Sequence, residues 1–241
     1  MDQNTMYQVS TLQALAMGYT RPIITVKELL QHGDSGLGTF ENVDGEMIVA
    51  DGHCYRADEQ GSVTEIPPET GVSFSSVTFL QTERREDLTE ITGIEPLKSL
   101  LTVKIEERFG LNSMHIVRID GYFEEVKARA ENGFHSQHVS LKDILAKTQK
   151  DFVFRNLSGT LICVYFPDYM DGINMPGWHF HFISADRTRG GHVFDLHMTK
   201  GEAIIDKIQC LTIQLPTDPA FDTYALKEAS HDEIKQVEQG K

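Results

Sequence analysis

Cysteine is scarce in this chain. There are three in 241 residues, Cys54, Cys163 and Cys210, with no Cys-x-x-Cys spacing. An odd count cannot complete a set of disulfides and suits a reducing compartment, so all three are expected to be buried free thiols. Positive charge is also short: 22 Lys and Arg stand against 36 Asp and Glu, a formal net charge of -14. No basic stripe is visible, which argues against a nucleic-acid partner, and an acidic surface repels anionic lipid. No run approaches the roughly 20 apolar residues of a membrane span. The opening stretch, MDQNTMYQVSTLQALAMGYT, lacks both the basic and the apolar segments of a signal peptide. The expectation is a cytoplasmic protein with no nucleic-acid and no membrane partner. Glycine-rich phosphate loops are missing as well; the Gly36-Leu37-Gly38 triplet reads as a bend.

What is present is mostly strand and turn. Two Asp-Gly pairs, Asp44-Gly45 and Asp51-Gly52, separate short apolar runs between Gly36 and Val63, which predicts a three-strand meander. Residues 72–80 and 160–166 read as strands, the second buried on both faces because its apolar run is continuous. His115–Ala130 reads as a hairpin turning at Asp120-Gly121, and residues 208–215 as a late strand. Helices are fewer: 25–32, a segment opening near Pro96, and 140–149, where Ser140 and Asp143 form a capping-box pattern. The fold class is therefore α+β and β-rich, with two sheet-containing halves of mixed or antiparallel strands and a few flanking helices. The boundary is expected near 135, giving an N-terminal half, 1–135, and a C-terminal half, 136–241.

The chain holds ten histidines, and four of them, His179, His181, His192 and His197, fall within nineteen residues of PGWHFHFISADRTRGGHVFDLH. As a strand, HFHFI puts His179 and His181 on one face. The polar, Gly-rich SADRTRGG is turn chemistry. A hairpin centred between Asp186 and Arg187 sets His181 opposite His192, where cross-strand Cβ atoms lie about 4.5–5.5 Å apart. Three neutral imidazoles then form a facial site that leaves a metal, such as Zn²⁺, its charge and an open position. Imidazole also suits iron, nickel or copper. His197 is an odd number of residues from His192 and is expected to face away. Two rival readings are a cupin-like His-ligated metal oxygenase and a non-catalytic zinc module. Cupin sites usually add a glutamate soon after His-x-His, and the nearest acid here is Asp186, in the turn. Structural zinc sites are normally closed by four protein ligands.

These residues also carry a resemblance. GINMPGWHFHFISADRTRGGHVFDL, SGLGTFENVDGEMIVADGHCYR and MHIVRIDGYFEEVKAR are similar, in this order, to the motifs of the α-acetolactate decarboxylases. The likeness runs from about Gly36 to Glu238. It implies decarboxylation of 2-acetolactate to acetoin, in the acetoin and butanediol pathway, by a homodimer with Zn²⁺ on His179, His181 and His192. It further implies two glutamates and an arginine near the metal. These match Glu46, in VDGEM with Val43 where the family has Leu, then Arg129, and Glu238 of a C-terminal tail folding back to the site. Thr39 and Arg129 would meet the substrate. Glu233 competes with Glu238, and Arg118 with Arg129. Without the resemblance Glu46 and Arg129 would read as surface residues and Glu238 as a frayed tail, although Glu46 shares a strand face with apolar Ile48 and Ala50.

Overall fold

The alternating and continuous apolar runs become thirteen strands among the described residues, which are 4–81, 85–135 and 139–226 of the computed structural model. In chain order they are β1 (Thr5–Val9), β2 (Ile24–Thr25), β3 (Ser35–Phe40), β4 (Glu46–Ala50), β5 (His53–Ala57), β6 (Val63–Glu65) and β7 (Gly71–Thr78). They continue as β8 (Arg85–Ile91), β9 (Met114–Ala130), β10 (Lys150–Phe166), β11 (Gly177–Ser184), β12 (Gly190–Ile208) and β13 (Cys210–Gln214). One sheet has the order β13-β1-β7-β3-β4-β5-β6, with β2 beside β7; the other runs β11-β10-β9-β12-β8. Because β11 also pairs with β12, strands β9 to β12 close into a ring. β1 and β13 are parallel, whereas β3 and β4, β9 and β10, and β11 and β12 are antiparallel. The fold is thus β-rich α+β with two sheets. Five helices flank them among the described residues: α1 (Leu12–Ala16), α2 (Val26–Leu29), α3 (Ile94–Phe109), α4 (Leu141–Thr148) and α5 (Pro219–Asp222). No helix of the described residues is long and apolar enough to cross a membrane.

β10 shows why a continuous apolar run is needed. Leu161 and Cys163 enter a core packed under α3, while Ile162, Val164 and Phe166 enter a second core. That second core takes Leu37, Ile48 and Tyr55 from the first sheet and Ile116, Ile183 and Ile208 from the other, so the two sheets pack face to face. A third cluster joins Leu12 and Leu15 of α1 to Leu141 and Ile144 of α4, over Val43 and Phe74. Ser140 caps α4 as its spacing predicts, its hydroxyl accepting from the Asp143 amide at 3.2 Å.

Several expectations are corrected. Asp51-Gly52 makes the two-residue turn between β4 and β5, with φ of 55° and 77°, as a hairpin turn of the primed type requires. Asp44-Gly45, by contrast, only ends a longer connection through the 3-10 turn Glu41–Val43. Asp120-Gly121 is no turn: β9 runs unbroken for 17 residues. Gly121 pairs with Gly159 on one side and Gly201 on the other, and a Cβ there would stand 2.7 Å from the Lys200 carbonyl oxygen. Its glycine serves close approach of three backbones rather than reversal of the chain. The first sheet takes β1 to β7 and β13 and the second β8 to β12, so β9 is an inner strand of the second sheet and β13 returns to the first. Cys54 and Cys163 are buried and burial pushes both thiols up, Cys54 to about 12; Cys210 is exposed.

Candidate metal centre

β11 and β12 bring the histidines together. Phe180 and Phe182 point into the core under α3, which turns His179 and His181 to the side that carries the first sheet. The register pairs His181 with His192. His179 Nε2 lies 3.1 Å from His181 Nε2 and 3.0 Å from His192 Nδ1. One nitrogen from each ring falls within 4.8 Å of the others. Four nitrogens held tetrahedrally at 2.0–2.1 Å from zinc stand about 3.3 Å from one another, so the spacing fits a common ion.

The protonation states fit as well. Burial holds the His179 imidazole down at about 3, helped by the Arg129 charge. Burial also holds His181 well below the ordinary histidine range. Both rings are therefore neutral at pH 7. His181 is fully buried, and its Nδ1–H donates to the Met47 carbonyl oxygen at 2.7 Å, which leaves the Nε2 lone pair aimed at the cluster. Met47 belongs to β4, so the first sheet orients a histidine of the second.

The residue preceding Met47, first of β4, is Glu46. Its Oε2 is 3.1 Å from His181 Nε2 and its Oε1 3.9 Å from His192 Nδ1. Ile48, on the same face, lies in the core between the sheets, which places Glu46 inward. Thr39 pairs with Glu46 across β3 and β4; it is buried, and its hydroxyl donates to the Gly45 carbonyl at 2.9 Å. Arg129, near the end of β9, pairs with His192, is buried, and has Nη2 3.4 Å from His192 Nε2. Thr39, Glu46, Arg129, His179 and His192 all line one cavity. Its remaining wall includes Leu15, Val43, Phe74, Glu131, Leu141, Leu145 and Gln149.

Arg118, the competitor of Arg129, and Asp186, the acid nearest the His-x-His pair, fall outside this cluster. Arg118 is bound to Asp51 and Asp120 at the other end of β9. Asp186 stays in the turn, accepting from Ser184 and Thr188. His197 is exposed and lies outside the group of three. The parity reason for this needs correction. A bulge at Phe194 adds an unpaired residue, so His192 opposes Arg129 and His197 opposes Glu125, two positions on one face of β9. Distance along the strand, not the opposite face, keeps His197 from the site. Glu238 and Glu233 lie outside the described residues.

Sequence reasoning missed Glu131 and the wall supplied by α4. Glu131 had a usable signal, its i+2 spacing from Arg129 on an extended strand; the α4 leucines had none beyond amphipathic periodicity.

The family model of alpha-acetolactate decarboxylase matches residues 6–228. An alpha-acetolactate decarboxylase of Methanosarcina mazei is 33% identical over 98% of this chain and 80% of that protein. One of Brevibacillus brevis is 33% identical over 98% of this chain and 81% of that protein. Among solved structures, alpha-acetolactate decarboxylase from Bacillus subtilis strain 168 superimposes with a TM-score of 0.91 at 29% identity, covering 98% of this chain and 100% of that one. Likeness of this extent in both sequence and fold makes the chain an enzyme of the carboxy-lyase class, and it belongs to the alpha-acetolactate decarboxylase family.

Proposed function

We propose that the protein converts 2-acetolactate to acetoin and CO₂ in the acetoin and butanediol pathway. His179, His181 and His192 would hold one Zn²⁺. The observation that carries this reading is the convergence of three imidazole nitrogens, two of the contacts at 3.0–3.1 Å, at a cavity that His179 and His192 line together with Glu46 and Arg129. Burial favours neutral rings with free lone pairs, the form a metal requires. When bound, the ion would supply Lewis-acid stabilisation of negative charge developing on the substrate.

The substrate is a 2-hydroxy-3-keto acid. Loss of CO₂ breaks the C1–C2 bond and sends its electron pair through C2 to the ketone oxygen; a proton must then reach C2 from one side. Arg129 presents the bidentate fork that suits the substrate carboxylate. Thr39, anchored by its own hydroxyl bond to Gly45, shapes the wall beside Glu46. Glu46 is the described carboxylate nearest the nitrogens and is positioned to hold a proton and deliver it to C2. Glu238 is proposed as the second carboxylate of this step, brought by the C-terminal tail. The enzyme is further proposed to be cytoplasmic and to act as a homodimer, which light scattering of the purified protein would test.

Metal analysis paired with an acetoin assay decides the central reading. About one zinc per chain and acetoin formation from acetolactate are expected, both lost with a chelator and restored by zinc. Metal-free protein that still makes acetoin would overturn it, and oxygen consumption with bound iron would favour the oxygenase alternative.

A further inference from the structure

One carboxylate on the cavity wall has no part in the reaction outlined above. Glu131 follows the last residue of β9, two positions beyond Arg129, and both side chains line the cavity of His179 and His192. It is 2% exposed and Arg129 7% exposed. The wall beyond it is apolar, with Leu141 and Leu145 of α4 and Leu15 of α1, so little water screens a charge there. The Cα atoms of Arg129 and Glu131, two apart on an extended chain, stand roughly 7 Å apart, and both side chains enter one cavity. An anion seated on the Arg129 guanidinium therefore lies within the field of Glu131.

We propose that Glu131 holds a negative charge beside the seat of the substrate carboxylate, weakening its binding and favouring its departure as neutral CO₂. As the C1–C2 bond breaks, the electron pair passes to C2 and on to the ketone oxygen, and CO₂ leaves uncharged. Repulsion present in the bound acid is thus relieved in the transition state, so the interaction acts on kcat at the expense of affinity. This inference rests on Arg129 as the carboxylate seat.

The test is Glu131→Gln in the metal-loaded enzyme. The probes are 2-hydroxyisobutyrate, a 2-hydroxy acid with no ketone and hence no decarboxylation, and acetoin, which is neutral. A unit charge about 7–10 Å away at an effective dielectric of 20–40 is worth about four- to fifty-fold. Glu131→Gln is expected to tighten 2-hydroxyisobutyrate and lower the KM for acetolactate by a factor in that range, with a comparable fall in kcat. The inhibition constant of acetoin and the zinc content should not move. Glu131→Asp keeps the charge and should keep the native affinity for the acid. An unchanged or weakened affinity for 2-hydroxyisobutyrate in Glu131→Gln overturns the inference, since a merely structural role cannot tighten one anion selectively. If the glutamine variant does not fold, Glu131→Met removes the same charge with a side chain that suits the leucine wall. Arg129→Gln separates the two readings: if it leaves 2-hydroxyisobutyrate binding unchanged, the carboxylate seat itself is wrong; if it weakens binding while Glu131→Gln does nothing, only the role of Glu131 fails.

Discussion

Replacing His181 with alanine separates the metal role of this residue from its structural role. The ring is fully buried and its Nδ1–H donates to the Met47 carbonyl oxygen. Its removal strips that buried acceptor of a partner, which costs about 1–3 kcal/mol. For a chain of this size each kcal/mol moves Tm by about 2–4 °C, so the metal-free variant should melt about 2–12 °C below metal-free native protein. The metal effect is larger. Tightly held zinc binds with about 10–16 kcal/mol; an even share among three imidazoles makes one ligand worth about 3–5 kcal/mol, or about two to four decades in Kd. His181→Ala should therefore lose zinc on dialysis and lose acetoin formation with it. Plasma mass spectrometry gives the stoichiometry, and calorimetry of both proteins in chelator gives the Tm difference. Stoichiometric zinc in His181→Ala would refute the ligand assignment. An unchanged Tm in chelator would refute the Met47 link between the sheets. His197→Ala is the control and should keep both zinc and activity.

Other outcomes follow from the same geometry. Glu46→Gln should keep zinc and fold but lower kcat by about 10²–10⁴-fold, the usual contribution of a general acid or base; near-native turnover would leave Glu46 without a chemical role. Deleting residues 236–241 should leave zinc content and Tm nearly unchanged yet cut kcat about tenfold or more; Glu238→Gln should reproduce most of the loss and Glu233→Gln should not, by steady-state acetoin assay. His115, away from the cavity and fully buried against Phe109 and Tyr165, is held down at about 4 by burial and then by Lys207. Its neutral folded form is met above the unfolded value near 6.5, and stability is lost as pH falls from there through 4, by about 2–3 kcal/mol at pH 4.5. Urea unfolding of metal-free protein at pH 7 and 4.5 should show that loss shrink in His115→Gln; an equal loss in both proteins would refute it.

What could be read from the sequence alone was local. Alternation along five residues puts His179 and His181 on one face, and a short polar turn sets the register that pairs His181 with His192. Both depend on backbone geometry over fewer than twenty residues, with no contribution from distant chain. The capping of α4 by Ser140 and the reversal at Asp51-Gly52 are local in the same way. Tertiary structure decided everything that depends on which strands become neighbours. Gly121 looked like a turn because Asp-Gly has the right chemistry for one; its actual use, three glycines abreast on β9, β10 and β12, exists only once those strands pair. The bulge at Phe194 undid a parity count that assumed an unbroken strand. Face-to-face packing of the sheets brought the Met47 carbonyl and Glu46 to His181 from 134 and 135 positions away, and set Glu131 in the same cavity beneath α4. A carboxylate is a surface group or a buried reagent according to what covers it, and that cover comes from remote segments whose pairing is cooperative and leaves no mark in the residues beside it.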